Sequence, residues 1–159
     1  MRTLVQRVTQ AAVTVDSRTV GSIERGLLVF VGVGREDTVD EAEWLAKRVA
    51  GLRVFETPDG KMNLSVNEVG GSVLAVPQFT LYGECRKGMR PDFINAAPPD
   101  AARPVFDAFV DALRREKATV ATGAFREHMH VTLVNDGPVT LWIERAHAAS
   151  GAQAPVGVQ

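Results

Sequence analysis

The chain has 159 residues, of which 45% are apolar, so it is long enough to bury a hydrophobic core and predicts a single domain. Its 18 Lys and Arg against 19 Asp and Glu leave a formal net charge of −1, which argues against broad, sequence-independent binding of nucleic acid. We therefore expect no DNA partner, whereas a small contact with the end of an RNA is compatible with this charge.

The single cysteine, Cys85, excludes an internal disulfide framework, and no four-ligand pattern for a structural zinc site accompanies it. No secretory segment opens the chain, and no apolar run reaches the roughly 20 residues that a membrane span requires. These features predict a cytoplasmic protein without a membrane partner.

The N-terminal part of the chain predicts β-strands. Apolar and polar residues partly alternate in three short segments, 2–8, 11–16 and 19–24. Residues 26–33, GLLVFVGV, form a continuous apolar run that is typical of a strand buried on both faces.

The first helix is predicted at residues 39–50. Thr38 followed by Glu41 is a capping-box pattern, and apolar residues then recur at helical spacing. The preceding stretch, VGVGRED at 31–37, does not qualify as a dinucleotide-binding fingerprint, because the third glycine is absent and no alternating βαβ units follow.

The middle of the chain predicts a hairpin and a further strand. Residues 53–66 contain Pro-Asp-Gly where a hairpin needs a turn, and residues 72–81 read as a strand that Pro77 interrupts. A polar, basic loop follows at 83–93.

A second helix is predicted after this loop, with Asp100 as its N-cap. Helical spacing defines its expected inward stripe, which consists of Ala102, Phe106, Phe109 and Leu113.

The last ordered segment, VNDGPVT at 134–140, lies between two runs that predict consecutive strands of a hairpin, 130–134 and 139–144. Its Asp-Gly pair is an ordinary turn signal. Pro138 fixes φ and donates no hydrogen bond, and the Gly137–Pro138 peptide is one of the few bonds that can be cis. The sequence does not decide between the two isomers.

The order of these elements, strands, helix, strands, helix, strands, predicts a single α+β domain over residues 1–145 without internal repeats. The remaining residues, 146–159, are rich in small side chains and predict a disordered tail.

Motifs for common catalytic chemistry are missing. His128 and His130 would share one face of a strand, but they lack a third ligand and His147 lies in the tail, so no metal site is predicted. No GxSxG elbow occurs, and no thiol-activating motif surrounds Cys85.

A resemblance rests on seven stretches that fall in the order found in D-aminoacyl-tRNA deacylases and cover residues 1 to about 145. They read LVQRVTQAAVTVD, GLLVFVGVG, GKMNLSV, PQFTLYG, KGMRPDFINAAPPD, TGAF and VNDGPVTLWIE. The chain resembles bacterial members of that family. The resemblance implies a homodimer with a mostly antiparallel, barrel-like sheet and two amphipathic helices.

The resemblance also implies a role for the final motif. In the family the Gly-Pro pair is cis, and its carbonyls project into the active site of the other subunit. Gly137 and Pro138 would then reject L-aminoacyl groups while D-aminoacyl groups and glycine are accepted, because carbonyls on a stiff corner cannot move away from a side chain. Arg7 matches the arginine that braces this corner, although residue type alone is equally typical of a surface arginine.

A second motif reads Ser-Gln-Phe-Thr-Leu in the family and begins here with Pro77, which has no hydroxyl and excludes covalent catalysis at that position. The implied catalytic residues are Gln78, Phe79 and Thr80, whose backbone amides stabilise the oxyanion. Three residues are expected to bind the substrate: Pro77, Phe125 and Met129. Phe125 and Met129 match positions that line the adenosine pocket in the family. In the family, water attacks with help from the ribose 2′-hydroxyl, so the resemblance implies that no cofactor is needed.

Two alternatives stay open. A related animal family that removes L-alanine from mischarged tRNA carries Pro-Gln-Ala-Thr-Leu, which Pro77 resembles, while Phe79 and the intact NDGPVT favour the D-specific family. A non-catalytic module that binds RNA ends on the same fold is the other alternative.

Overall fold

The computed structural model describes residues 1–86 and 88–146 and contains eight strands, two α-helices and one 3-10 turn. The predicted tail lies almost entirely outside the described residues. The strands are β1 Arg2–Val15, β2 Arg18–Ile23, β3 Gly26–Gly32, β4 Phe55–Glu56, β5 Met62–Leu64, β6 Ser72–Pro77, β7 Thr119–Thr122 and β8 His130–Glu144. The helices are α1 Val39–Ala50 and α2 Pro99–Arg115, and the 3-10 turn is Phe79–Tyr82.

The main sheet has the strand order β2-β1-β3-β6-β7, and β8 pairs with β1. The long strand β1 is antiparallel to β2, β3 and β8, whereas β6 runs parallel to β3 and β7. β4 and β5 form the predicted hairpin as a separate two-stranded ribbon. The predicted α+β class, with a mostly antiparallel sheet and two helices, is confirmed.

The sheet curls until its outer strands nearly meet, which makes the core barrel-like. A Cβ placed on Gly21 of β2 would lie only 2.3 Å from the carbonyl oxygen of Thr122 in β7. Glycine is therefore required where these two strands approach, because any side chain would collide with backbone.

Both faces of the central strands are buried, which explains the continuous apolar run of β3. Leu27 and Val29 pack with the helices in the larger core, and Leu28 packs with Leu74 in a smaller core on the other face. Side chains alternate between the two faces of a strand, so a central strand with two covered faces needs apolar residues throughout.

Helix α1 begins as predicted. Thr38 accepts a hydrogen bond from the backbone N–H of Asp40, and the Glu41 carboxylate accepts one from the backbone N–H of Thr38, which completes the capping box.

The predicted cap of α2 is wrong, because the helix begins at Pro99 with Pro98 as its N-cap. The fixed φ of proline suits a first helical position, which places Asp100 within the first turn, where its charge is favourable near the helix N-terminus. Of the predicted inward stripe, Ala102 is half-buried and the other three residues are buried.

The prediction of a C-terminal hairpin is wrong as well. Residues 130–144 form one strand, and both of its halves pair with β1. Val8 lies opposite Asn135 and Gln6 lies opposite Thr140, so residues 136–139 bulge out opposite a single residue of β1. We call residues 136–139 the corner.

The same pairing explains a third error. The predicted segments 2–8 and 11–16 belong to the single strand β1, and the pairing with β8 shifts register between Gln6 and Gln10, where the sequence alternation breaks. A bulge changes the phase of a strand without ending it. The short strand β7 was not predicted.

Candidate active site

An apolar cleft of about 490 Å³ lies at the ends of β3 and β6 and is closed by the start of α2. It brings together four of the predicted site residues, Pro77, Gln78, Phe79 and Phe125. The other lining residues are Val31, Val33, Arg35, Phe93, Ala96, Ala97, Pro98, Pro99, Ala102, Phe106 and Arg126.

The chain changes direction sharply after β6, at the edge of this cleft. Strand β6 ends at Pro77, the N–H of Gln78 donates to the carbonyl of Val31 over 2.8 Å, and the 3-10 turn starts at Phe79. Among the described residues, the N–H groups of Phe79 and Thr80 have no protein acceptor, as expected for the first donors of a helical turn.

Aromatic rings form two walls of the cleft. Phe79 is 58% exposed, and its ring stands edge-on to Phe93 with the centroids 5.1 Å apart. Phe125 packs at a tilt against Phe106 at 6.2 Å, with the guanidinium of Arg103 over its ring at 5.3 Å. The cleft thus offers flat apolar surfaces on both sides.

Two predicted site residues lie beside the cleft without lining it. Thr80 is exposed, and its hydroxyl accepts a hydrogen bond from the side-chain amide of Gln78. Met129 packs against the smaller core, and a Cβ on Gly123 would be 2.9 Å from its sulfur, so glycine leaves the room that Met129 occupies.

Arg7 fixes the backbone of the corner through hydrogen bonds to its carbonyls. The side chain is buried, and its Nε donates to the Asp136 carbonyl oxygen over 3.2 Å and lies 2.9 Å from the Asp136 carboxylate. Its Nη2 donates to the Gly137 carbonyl over 3.4 Å, and its Nη1 donates to the Val54 carbonyl. Arg7 is therefore not a surface arginine.

The corner itself is exposed at its tip. Gly137 and Pro138 are solvent-accessible, their peptide bond is cis, and the following Val139 is buried. The side-chain amide of Asn135 donates to the carbonyls of Arg7 and Val139 over 3.0 and 3.1 Å, which ties both ends of the bulge to β1 and to each other.

Within one chain the corner and the cleft lie apart. Arg7 pairs with Leu27, and Leu27 pairs with Val73, whereas the cleft begins at Pro77, which pairs with Val31. Leu27 to Val31 is four positions, or roughly 13 Å along the strand direction, and β8 is separated from β6 by β1 and β3, with strands spaced about 4.8 Å apart.

Comparison with known proteins identifies the family. A model described as D-Tyr-tRNA(Tyr) deacylase matches residues 4–144. The chain belongs to this family. The D-aminoacyl-tRNA deacylase of Thermotoga petrophila is 59% identical over 144 residues, covering 91% of this chain and 97% of the relative. That of Thermomicrobium roseum is 55% identical over 152 residues, covering 96% and 99%.

Solved structures share the fold of this D-Tyr-tRNA(Tyr) deacylase family chain. A protein described as c-Myc DNA Unwinding Element Binding Protein is 39% identical with a TM-score of 0.85, and the match covers 92% of this chain and 100% of that one. A probable eukaryotic D-amino acid tRNA deacylase has a TM-score of 0.76 at 18% identity over 89% of this chain and 97% of that one, which supports the fold alone.

In this family member, sequence reasoning missed Arg35, Phe93 and Arg126 as cleft residues. The sequence did offer a signal, because these residues lie in or next to stretches shared with the family. Phe93 lies in KGMRPDFINAAPPD, and Arg126 directly follows TGAF. Arg35 carried the same signal, since it directly follows the stretch GLLVFVGVG.

A polar network behind the 3-10 turn was also missed. The Tyr82 hydroxyl donates to the Asp37 carboxylate over 2.9 Å, and Arg2 donates to the Leu81 carbonyl over 3.0 Å while its guanidinium lies 4.3 Å from the Tyr82 ring centre. Burial, followed by the neighbouring Asp37 charge, raises the pKa of the Tyr82 phenol well above its ordinary value. The network anchors the C-terminal end of the turn that carries Phe79.

Among residues 1–86 and 88–146, no group of three or more His, Cys, Asp or Glu side chains is arranged to hold a metal ion. Neither of the helices in that part of the chain combines the length and the apolar character needed to cross a membrane.

Proposed function

We propose that this chain hydrolyses the ester bond of D-aminoacyl-tRNA, and of glycine mischarged on tRNA, releasing the free amino acid and the tRNA. The observation that carries the proposal is the apolar cleft with its aromatic walls, bordered by the 3-10 turn in which the backbone N–H groups of Phe79 and Thr80 have no acceptor among the described residues. The membership of the chain in the D-Tyr-tRNA(Tyr) deacylase family supplies the substrate class.

The proposed chemistry needs no protein nucleophile. Residue 77 is proline, and the Thr80 hydroxyl accepts a hydrogen bond from Gln78 with no general base beside it in sequence. Water adds to the ester carbonyl with help from the ribose 2′-hydroxyl, the N–H groups of Phe79 and Thr80 stabilise the oxyanion, and the ribose 3′-oxygen leaves with a proton. The reaction consumes only water and requires no cofactor.

The aromatic walls hold the terminal adenosine in this proposal. Phe125 offers a ring face to the adenine, as aromatic side chains do for unpaired bases. Met129 supports this wall from behind, through its position beside Gly123.

We further propose that the chain acts as a homodimer in which Gly137 and Pro138 of one subunit select the substrate chirality in the cleft of the other. Support comes from the separation of corner and cleft within one chain and from the buried Arg7, which fixes the corner carbonyls. An L-side chain would collide with those carbonyls, whereas a D-aminoacyl group or glycine places only hydrogen or the amine there.

One observation favours a second candidate. Pro77 matches the Pro-Gln-Ala-Thr-Leu motif of the animal-type relative, which would make mischarged L-alanyl-tRNA the substrate. Phe79 departs from that motif.

The test compares hydrolysis of D-tyrosyl-tRNA, glycyl-tRNA, L-tyrosyl-tRNA and L-alanyl-tRNA at low enzyme concentration without added metal. We expect rapid loss of the D-ester and of glycyl-tRNA while both L-esters persist. Loss of L-alanyl-tRNA alone would replace the proposal with the second candidate. If every ester persisted, binding of deacylated tRNA would identify a non-catalytic module that binds RNA ends.

A further inference from the structure

The chain on either side of the cleft residue Phe93 carries exposed side chains that the proposed chemistry does not use. Met89 is fully exposed and Ile94 is 67% exposed. We propose that the mouth of the cleft, defined as Arg35, Met89, Arg90, Ile94 and Arg126, binds the unpaired nucleotides that precede the terminal adenosine. The inference rests on the proposed function and extends it to the RNA that lies outside the cleft.

The backbone places these residues beside the cleft. Glu84 and Asp92 exchange two backbone hydrogen bonds of 2.9 and 3.2 Å, which close the loop between them at its base. Phe93 follows immediately as a cleft wall. Since Arg90 is three residues before Phe93, their Cα atoms lie within roughly 11 Å of each other.

The wall after the loop is fixed to the end of β3. The side chain of Arg35 donates to the Ile94 carbonyl, and its backbone N–H donates to the Asn95 carbonyl over 3.2 Å. The N–H of Ala97 donates to the Val33 carbonyl over 2.9 Å. Ile94 is therefore exposed on a held backbone, where a base can stack without first ordering the wall.

The charges at the mouth suit a phosphate backbone. Among the described residues Arg90 makes no ion pair, and the nearest carboxylate to Arg126 is that of the exposed Asp100 at 4.0 Å. The loop's own carboxylates are occupied, since Glu84 pairs with Arg86 and Asp92 accepts from the Ile94 N–H over 3.2 Å. The mouth therefore carries a local excess of positive charge, although the net charge of the chain is −1.

The combination of three arginines, of which Arg90 makes no ion pair with a described residue, and exposed apolar side chains indicates single-stranded RNA. Unpaired bases stack on apolar and aromatic side chains while their phosphates are bound by Arg and Lys, whereas a duplex hides its base faces. The mouth is continuous with the Phe125 wall proposed for adenosine, so the next nucleotides of the same strand are the occupant that fits.

The test uses Arg90→Gln and Met89→Ser, both outside the cleft lining, with Arg18→Gln as the matched control. Arg18 is an exposed arginine at the opposite end of the sheet. Hydrolysis is measured on D-tyrosyl-tRNA and on the D-tyrosyl ester of adenosine, which has no phosphate and no second base.

Arg90→Gln should lower kcat/KM for D-tyrosyl-tRNA roughly fivefold at 0.1 M salt, through KM, and should make the log–log salt slope shallower by roughly 0.7, which corresponds to one phosphate contact. Met89→Ser should lower kcat/KM by a similar, roughly fivefold factor without changing the slope. Both variants should hydrolyse the adenosine ester at the wild-type rate, and Arg18→Gln should match wild type on both esters.

A binding measurement separates this inference from the proposed function. The probe is a 5′-labelled RNA hairpin that ends in four unpaired nucleotides, compared with the same hairpin cut to a blunt end. If the wild type hydrolyses neither ester, the proposed function fails, and a preference for the unpaired end that Arg90→Gln removes still supports the mouth. Equal losses on both esters, no loss on either, or a variant that changes the oligomeric state would overturn the inference.

Discussion

The cleft and the corner are built in opposite ways. The cleft is apolar, lies at strand ends, and borders the 3-10 turn whose first backbone N–H groups have no acceptor among the described residues. The corner protrudes from the middle of a strand, is solvent-exposed at Gly137 and Pro138, and is held by the buried guanidinium of Arg7, which donates to its carbonyls. In the proposed reaction, the cleft supplies donors to a developing negative charge, and the corner supplies carbonyl oxygens that resist displacement. The proposal therefore predicts that substitutions can damage catalysis and selection separately.

The largest effect is expected at the support of the corner. Arg7→Ala leaves three carbonyls and the partly exposed Asp136 carboxylate without their donor, and should lower the free energy of unfolding by about 3 kcal/mol. Denaturant unfolding measures this, with exposed Arg18→Ala as the control, which should change by less than about 0.5 kcal/mol.

The same variant tests selection. The folded fraction of Arg7→Ala should hydrolyse L-tyrosyl-tRNA faster relative to D-tyrosyl-tRNA, because the corner carbonyls are no longer held. An unchanged ratio of the two rates would show that Arg7 contributes only to stability.

The next effect is expected in the cleft. Phe125→Ala removes a stacking face and should lower kcat/KM for D-aminoacyl-tRNA by about tenfold or more, while the ratio of D to L hydrolysis stays constant. Phe125→Leu keeps an apolar wall without a ring and should fall between wild type and Phe125→Ala. Equal rates for Leu and Ala would mean that the aromatic face is not the contact.

A smaller effect is expected at the strand end. Pro77→Ser restores a hydroxyl and a backbone N–H beside Gln78 and should change kcat/KM by less than about tenfold, because no step is assigned to that side chain. The ratio of D to L hydrolysis should be retained. Loss of selectivity in this variant would contradict the assignment of catalysis to the cleft and of chirality selection to the corner.

The smallest effect at neutral pH concerns the anchor of the 3-10 turn. Tyr82 is the single tyrosine of the chain, so the ultraviolet absorbance of tyrosinate reports this residue alone. Because the folded state raises the pKa of Tyr82, the stability gained from the neutral phenol is fully present below its ordinary pKa of 10.0 and is lost as pH rises through the folded value.

We therefore expect no tyrosinate signal near pH 10 while the chain stays folded, and a signal at the ordinary pKa in denaturant. Tyr82→Phe should abolish the signal and cost about 1 kcal/mol, since Asp37 loses one hydrogen bond. Ionisation at the ordinary pKa in the folded chain would contradict the buried network.

Local chemistry made some elements predictable. The capping box at Thr38 and the Pro-Asp-Gly turn between β4 and β5 depend on residues within a few positions of one another. Strand β3 was also predictable, because a strand buried on both faces consists almost entirely of apolar residues.

The errors occurred where a distant strand decides the outcome. Asp-Gly-Pro has the composition of a turn, and only the length of β1, which can pair with both flanks, makes it a bulge within one strand. The burial of Arg7 has the same origin. An arginine in an alternating strand does not reveal whether carbonyls from residues 54, 136 and 137 will converge on it.

The bulge in β8 also fixes how the length of this segment can vary. Beyond the corner, Ile143 packs against the larger core while the neighbouring Trp142 is 49% exposed. A one-residue insertion or deletion beyond the corner would shift the register of this half of β8 against β1 and exchange these two positions, whereas the same change within the corner is taken up by the bulge and leaves the pairing of both halves unchanged. Position relative to the corner, more than composition, should therefore govern which insertions and deletions this part of the chain tolerates.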